Sequence, residues 1–139
     1  MNETIIFEDS YAVVKYVPDL HLIIIEWNGT LTNEQYRTAF LKALEFQDKC
    51  TATISNFMSD VRKQGIVNPD NRRWFETVAL PRAIKQGLKR AAVVIDGNIF
   101  KKYYLNLVLK TTNKFRLPLK LFSTVDDAYS WLKSFDDTE

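Results

Sequence analysis

Charged and hydroxyl side chains are concentrated where the third predicted strand ends, at Ser59, Asp60 and Arg62. Asp96 follows the fourth predicted strand, and open α/β sheets bind ligands at the carboxyl ends of neighbouring strands. Guanidinium and ammonium groups there have the chemistry to bind a phosphate or a carboxylate. A structural ion pair between Asp60 and an arginine explains the same residues equally well. The candidate anion- or partner-binding residues at this edge are Asp60, Arg62, Lys63, Arg72 and Asp96.

Catalytic and metal-binding arrangements have little support in the sequence. His21 is the only histidine and opens a predicted strand, at the opposite end from Ser59 and Asp60, so a Ser-His-Asp triad is not favoured. One cysteine and one histidine cannot supply a structural zinc site. The four widely separated glycines form neither a dinucleotide-binding motif nor a phosphate-binding loop. We therefore expect a protein that is not an enzyme and that binds no metal or cofactor.

Aromatic residues stand next to basic ones in two segments, Arg72 to Phe75 and Phe100 to Tyr104. Such segments can bind nucleic acid by stacking on its bases. Helical spacing, however, sends Phe100 and Tyr104 inward beside Leu107. Core packing is the better account, and no nucleic-acid partner is expected.

The net charge of +2 conceals a strong segregation of charge along the 139 residues. Residues 1–59 carry four basic and eight acidic groups, residues 60–120 carry fourteen and four, and residues 121–139 carry one and five. A basic middle between acidic ends favours an anionic partner if folding gathers the charges on one face. This adds Arg73 and Lys102 to the candidate contacts. The alternative is a set of solvated helix faces.

The composition is that of one globular domain, residues 1–139, with 46% hydrophobic and 26% charged residues. The segment from Met1 to Glu8 has no signal-peptide pattern, and no apolar run is long enough to span a bilayer. Cys50 is the only cysteine, so an intramolecular disulfide is excluded. We expect a cytoplasmic protein that is not an integral membrane protein.

Short apolar runs predict the strands that must position these residues. Tyr11 to Val17 and Leu20 to Trp27 predict an antiparallel pair joined by a proline turn. Three later runs, Thr53 to Ser59, Arg90 to Ile95 and Leu117 to Phe122, predict parallel strands covered on both faces. The expected core is therefore an α/β fold with a mostly parallel five-stranded sheet flanked by helices.

Amphipathic spacing predicts four helices, one after each strand from the second onward. Thr30 or Thr32 is expected to cap the first. The second begins near Asn68, and Pro81 should either divide it in two or kink it before it ends at Gly87.

The third helix is expected from Ile99 to about Asn113, after a turn at Asp96 to Asn98. Leu105 and Leu109 fall outside its inner face, so a neighbouring helix or another subunit must cover them. We predict a homodimer that buries this pair. The last helix starts at Ser123 or Thr124.

The order β-β-α-β-α-β-α-β-α, from Tyr11 to Phe135, resembles the STAS fold of the anti-sigma factor antagonists, often called SpoIIAA-like. Several short segments are also similar to those of stand-alone bacterial proteins with that fold. They are Trp74-Phe75, Pro81 to Ile84, Phe100 to Leu105 and Trp131-Leu132. The resemblance implies a regulatory domain that docks on a partner protein.

The resemblance also implies a phosphorylation site. In the sporulation-type members, a hydroxyl at the start of the helix after strand three is phosphorylated, and the added charge breaks the complex. The matching neighbourhood is Met58 to Arg62, which makes Ser59 the candidate phosphosite. The chain departs from the family pattern here, because Ser59 precedes Asp60 instead of following an aspartate. A hydrogen bond from the Ser59 hydroxyl to the turn backbone is the alternative.

The leading hypothesis is therefore a non-enzymatic cytoplasmic domain that binds a protein. A small-molecule or lipid carrier is the second hypothesis, because STAS-like sheets also resemble the Sec14-type lipid carriers. An apolar pocket opening between Trp74, Phe75 and the helix containing Phe100 to Tyr104 would favour it.

Overall fold

The computed structural model describes residues 2–97 and 101–135, with the backbone alone described at Lys101. Its strands form one six-stranded sheet in the order β1-β2-β3-β4-β5-β6. They are β1 Thr4–Asp9, β2 Ala12–Val17, β3 Leu22–Trp27, β4 Asn56–Asp60, β5 Arg90–Val94 and β6 Leu119–Phe122. Strands β1 to β3 are antiparallel, and β3 to β6 are parallel. The predicted α/β class with a mostly parallel sheet is confirmed.

The predicted count of five strands was wrong, because Thr4–Asp9 adds an edge strand. Its apolar run, Ile5 to Phe7, is only three residues long, and only Ile6 and Phe7 of the strand are half-buried while the other four residues are exposed. The return of the first hairpin also differs from the prediction. Pro18–Leu20 forms a short 3-10 helix, and His21 takes a left-handed conformation with φ of 48° before β3 begins at Leu22.

Four of the five α-helices described lie in the connections between parallel strands, and the fifth follows the last strand. They are α1 Asn33–Lys49, α2 Pro69–Trp74, α3 Leu80–Lys85, α4 Lys101–Phe115 and α5 Val125–Lys133. Thr32 caps α1 in a reciprocal capping box with Gln35, as one of the two predicted caps. Thr124 caps α5 by accepting from the backbone N–H of Asp127. The turn and helix start predicted at Asn98, Ile99 and Phe100 lie outside the described residues.

The helix predicted around Pro81 runs without a break through a π-helical turn, Phe75–Ala79, which joins α2 to α3. In this turn the N–H of Leu80 donates to the carbonyl of Phe75, five residues earlier. A proline in a regular helix lacks an N–H and clashes with the carbonyl four residues before it. The π turn immediately before Pro81 widens the helix at that point.

Two hydrophobic cores lie on opposite faces of the sheet. Helices α1 to α4 and the π turn cover one face, where Phe40, Phe75 and Tyr104 pack on Ile23 and Ile25 of β3. Helix α5 covers the other face. The carboxyl ends of β3, β4 and β5 meet at the same edge of this layered structure, as the register Glu26 to Asp60 to Val94 requires.

Candidate functional site

Asp60 and Arg62 form a bidentate ion pair at the carboxyl end of β4. The Arg62 Nε donates to Asp60 Oδ1 at 2.9 Å, and Nη2 donates to Oδ2 at 2.7 Å. The hydrogen bond with Asp60 is the main cause that raises the pKa of Arg62 above its usual value. Because each group satisfies the other, this geometry fits the ion-pair interpretation better than a vacant anion site.

The loops beside this pair are tied together by backbone hydrogen bonds. The N–H of Gly29 donates to the carbonyl of Lys63, and the N–H of Gly65 donates to the carbonyl of Gly29, both at 2.8 Å. The side chain of Lys63 is exposed. Asp96 is also exposed, and its charge adds to the rise in the pKa of Arg62. Asp60, Arg62 and Asp96 therefore come together as predicted.

Arg72, a residue of α2, does not join that group. Its side chain extends toward α4. Its guanidinium carbon is 4.2 Å from the ring centroid of Tyr103, in a cation–π contact. Its Nε is buried and has no hydrogen-bond partner among the described residues. Glu76, one turn later, pairs instead with Lys110 at 3.3 Å. Arg72 is thus a stacked guanidinium without a carboxylate partner in the described part of the chain.

Arg73 and Lys102 are exposed and stand next to the stacked pair in sequence. The contact between Arg72 and Tyr103 joins α2 to α4. We call Arg72, Arg73 and Lys102 the basic helical surface. The predicted binding set is therefore divided between the strand ends and this surface.

The hydroxyl of Ser59 does not bond to the turn backbone, so that expectation was wrong. Ser59 lies within β4, one residue before its end, and is 9% exposed. Its Oγ accepts a hydrogen bond of 3.0 Å from the indole Nε1 of Trp27, on neighbouring β3. Side chains alternate between the two faces of the sheet along β4, so the Ser59 side chain lies on the face that helices α1 to α4 cover.

A cavity of about 70 Å³ lies between the sheet and the helices, next to Ser59. Apolar and aromatic side chains dominate its lining, with Phe75 from the π turn and Tyr103 from α4 among them. The hydroxyl of Tyr104 reaches the same region and donates to Gln64 Oε1 at 2.8 Å. The cavity is smaller than an engineered site of about 150 Å³ that binds benzene.

The tyrosines around this cavity are held in their neutral form. Burial raises the pKa of Tyr103 to about 12, and it raises the pKa values of Tyr36 and Tyr104 as well. The positive charge of Arg72, which stacks on the Tyr103 ring, opposes all three rises. Arg72 therefore connects the basic helical surface to the buried aromatic cluster.

Leu105 and Leu109 are 46% and 60% exposed on α4. A neighbouring helix therefore does not cover either side chain among the described residues. Within the same residues, no three histidine, cysteine or acidic side chains are grouped so that they could hold a metal ion. None of the helices described is both long enough and apolar enough to cross a bilayer.

These elements define a STAS-type domain, and comparison with known proteins identifies its family. The SpoIIAA-like family model matches residues 22–133, so the chain belongs to the SpoIIAA-like family. It is also similar to the crystal structure of an uncharacterised protein from the DUF3478 family, with a SpoIIAA-like fold, from Shewanella loihica PV-4. That similarity has a TM-score of 0.57 at 18% identity and covers 94% of this chain and 92% of the other. The comparison with curated proteins finds no match.

Sequence reasoning missed Trp27 as the partner of Ser59 and Gln64 as the partner of Tyr104. Trp27 was assigned only to a strand end, and Gln64 only to a loop. The one signal available was the presence of a donor, the Trp27 indole, at the end of a strand that neighbours the strand of Ser59. The register that pairs Ile25 with Ser59 is a tertiary property, so the local sequence could not supply it.

Proposed function

We propose that this chain is a non-enzymatic regulatory domain that binds an acidic surface of a partner protein through the basic helical surface. The observation that carries the proposal is Arg72, a guanidinium stacked on Tyr103 with no carboxylate partner among the described residues. Membership of the SpoIIAA-like family supports it, since the resemblance to STAS domains implies docking on a partner.

The physical argument rests on preorganisation. Stacking on a ring holds the guanidinium plane in one orientation, so less side-chain entropy is lost when a carboxylate binds. A planar fork of donors also favours two parallel hydrogen bonds with a carboxylate. Arg73 and Lys102, both exposed, add positive charge that steers an acidic partner toward this surface.

The test compares charge reversal on this surface with an equal reversal elsewhere. The immobilised protein is used to recover partners from its source cell at low and physiological ionic strength, with identification by mass spectrometry. The test variant combines Arg72→Glu, Arg73→Glu and Lys102→Glu. The control combines Lys42→Glu, Lys49→Glu and Lys133→Glu, three exposed lysines on α1 and α5.

We expect recovery by the wild type to weaken as salt rises, because screening reduces the attraction between exposed charges. The control variant should recover the same partners, and the test variant should lose them. Unchanged recovery by the test variant would contradict the proposal. Circular dichroism of each variant separates loss of binding from loss of fold.

A second candidate function, binding of a small apolar molecule, is favoured by the cavity bordered by Phe75 and Tyr103. Sites for drug-sized ligands have volumes of about 300–1,000 Å³, so a lipid chain would need the helices to separate. A shift in melting temperature under xenon pressure, absent in a Leu107→Trp variant that fills the cavity, would support this function. No shift with xenon or with a fatty acid would contradict it.

A further inference from the structure

Strand β6 is the last strand of the sheet, and no further strand among the described residues pairs with its outer side. The N–H of Ala91 in β5 donates to the carbonyl of Pro118 at 3.0 Å, with Ala91 opposite Leu119. In a parallel ladder of this register, the N–H and C=O groups of Leu119 and Leu121 point away from β5. Neither residue has another backbone partner among the described residues. Such an edge is a template for one more strand.

An open groove of about 430 Å³ lies between this edge and α4. Leu105 and Val108 of α4 line it on one side, and Leu119 and Leu121 of β6 on the other. Leu109, one turn beyond Leu105, is 60% exposed. The apolar surface thus continues from the strand edge onto the helix, which is typical of a protein–protein contact.

The opposite edge of the sheet is protected by an irregular pairing and by acidic residues. Strand β1 has an irregularity in its pairing with β2 between Ile5 and Phe7, and it ends in Glu8-Asp9. Bulges and charged residues at an edge prevent pairing with another sheet. The pairing of β6 with β5 is regular over all four residue pairs.

The charges at the two ends of β6 indicate which molecule pairs with its outer edge. Lys114 and Arg116, both exposed, precede the strand, while Asp96, Asp126 and Asp127, also exposed, lie at its other end. We propose that two copies of this chain pair their β6 strands antiparallel across a two-fold axis. That symmetry places the basic end of each strand beside the acidic end of the other. This inference does not depend on the proposed function.

The register of the pairing follows from which groups are free. Hydrogen-bonded pairs must join outward-facing residues, which places Leu121 opposite Leu121, Leu119 or Leu117 of the second copy. The third arrangement would need the N–H of Leu117, which already donates to the carbonyl of Thr111. The second arrangement sets Lys120 opposite its own symmetry mate, which is repulsive. The first sets Lys120 opposite Phe122, a ring from which the Lys120 Nζ of the same chain is already 5.6 Å away. We therefore assign the register in which Leu121 faces Leu121.

Sedimentation velocity at tens of micromolar tests the assembly, and hydrogen exchange read by nuclear magnetic resonance tests the interface. We expect a dimer in which the amides of Leu119 and Leu121 become protected as concentration rises. The amide of Lys120 faces β5 in this register and should change little. A monomer at this concentration, or a dimer whose Leu119 and Leu121 amides exchange as they do at high dilution, would overturn the inference.

Two sets of variants test the same interface without relying on exchange. Leu121→Pro removes the outward N–H and should give a folded monomer, whereas Leu121→Ala keeps that N–H and should remain a dimer. Arg116→Asp should weaken the dimer, and adding Asp126→Arg should restore it. If Leu121→Pro remains a folded dimer, or if the double charge swap fails to restore association, the proposed pairing is wrong.

Discussion

The indole N–H of Trp27 donates a hydrogen bond of 3.0 Å to the hydroxyl oxygen of Ser59, and both residues are buried. The bond joins β3 to β4 beneath the helices, beside the cavity. It involves the residue that the family resemblance selects as a phosphosite. A phosphoryl group on Ser59 would bring nearly two negative charges into this region, so a kinase would need the covering helices to open.

Ser59→Ala should lower the free energy of unfolding by about 1–3 kcal/mol, because the buried indole donor loses its acceptor. Urea unfolding followed by tryptophan fluorescence measures the change. Ser130→Ala, on the exposed side of α5, is the matched control and should change stability little. Equal stability of both variants and the wild type would show that the indole finds another partner.

If Ser59 is a regulatory switch, Ser59→Asp should abolish recovery of the partner protein that Ser59→Ala retains. The added carboxylate acts as a partial substitute for the phosphoryl charge. Binding must be compared below the melting temperature of each variant, since a buried carboxylate also destabilises the fold. Equal binding by the two folded variants would count against the switch.

The free energy of unfolding should be nearly constant at neutral pH and should fall at alkaline pH. The pKa of Tyr103 is raised by burial from 10.0 to about 12, so between these values the unfolded chain loses its phenolic proton while the folded chain keeps it. Burial raises the pKa values of Tyr36 and Tyr104 in the same direction. Stability is therefore fully retained below pH 10 and lost as the pH rises above it.

Tyrosinate absorbance recorded together with circular dichroism measures this effect. Ionisation of Tyr36, Tyr103 and Tyr104 should coincide with unfolding. Tyr103→Phe should reduce the alkaline loss of stability more than Tyr11→Phe, since burial raises the pKa of Tyr103 to about 12 and raises the pKa of Tyr11 less. Ionisation of all tyrosines near pH 10 in a fully folded chain would contradict the prediction.

Gly65→Ala should destabilise the fold by about 1–3 kcal/mol through overpacking. A β-carbon at this position would lie 2.2 Å from Thr30 Oγ1 and 3.1 Å from Thr30 Cα. The double variant Gly65→Ala with Thr30→Gly removes the hydroxyl and should recover part of the loss beyond the sum of the single effects. Thermal unfolding of the two single variants and the double variant measures this coupling, and strict additivity would contradict it.

The sequence predicted most of the fold because its signals there are local. Apolar runs identified every strand except β1, whose apolar run, Ile5 to Phe7, is only three residues long and is flanked by polar residues. Thr32 as a cap and Pro81 as an interruption are likewise properties of a few neighbouring residues. The helix accommodates Pro81 through a π turn and does not break there. This outcome depends on packing along the whole helix and could not be predicted locally.

The candidate site was predicted less well because it depends on distant pairs. Asp60 and Arg62 are two residues apart, and their ion pair was among the interpretations considered. Arg72 was assigned to the same cleft, but Tyr103, thirty-one positions away, holds it between two helices instead. Contacts of this kind are set by the helix packing, which no sequence pattern specifies.

The π turn at Phe75–Ala79 also has an evolutionary consequence. It corresponds to one residue inserted into a regular helix, and a residue added to or removed from an α-helix rotates everything after it by about 100°. The turn absorbs that rotation, so Phe75 and Leu80 both remain buried on the same side. Relatives that lack Pro81 can therefore have a helix one residue shorter here, and sequence alignments within the family should place a single-residue gap in this segment.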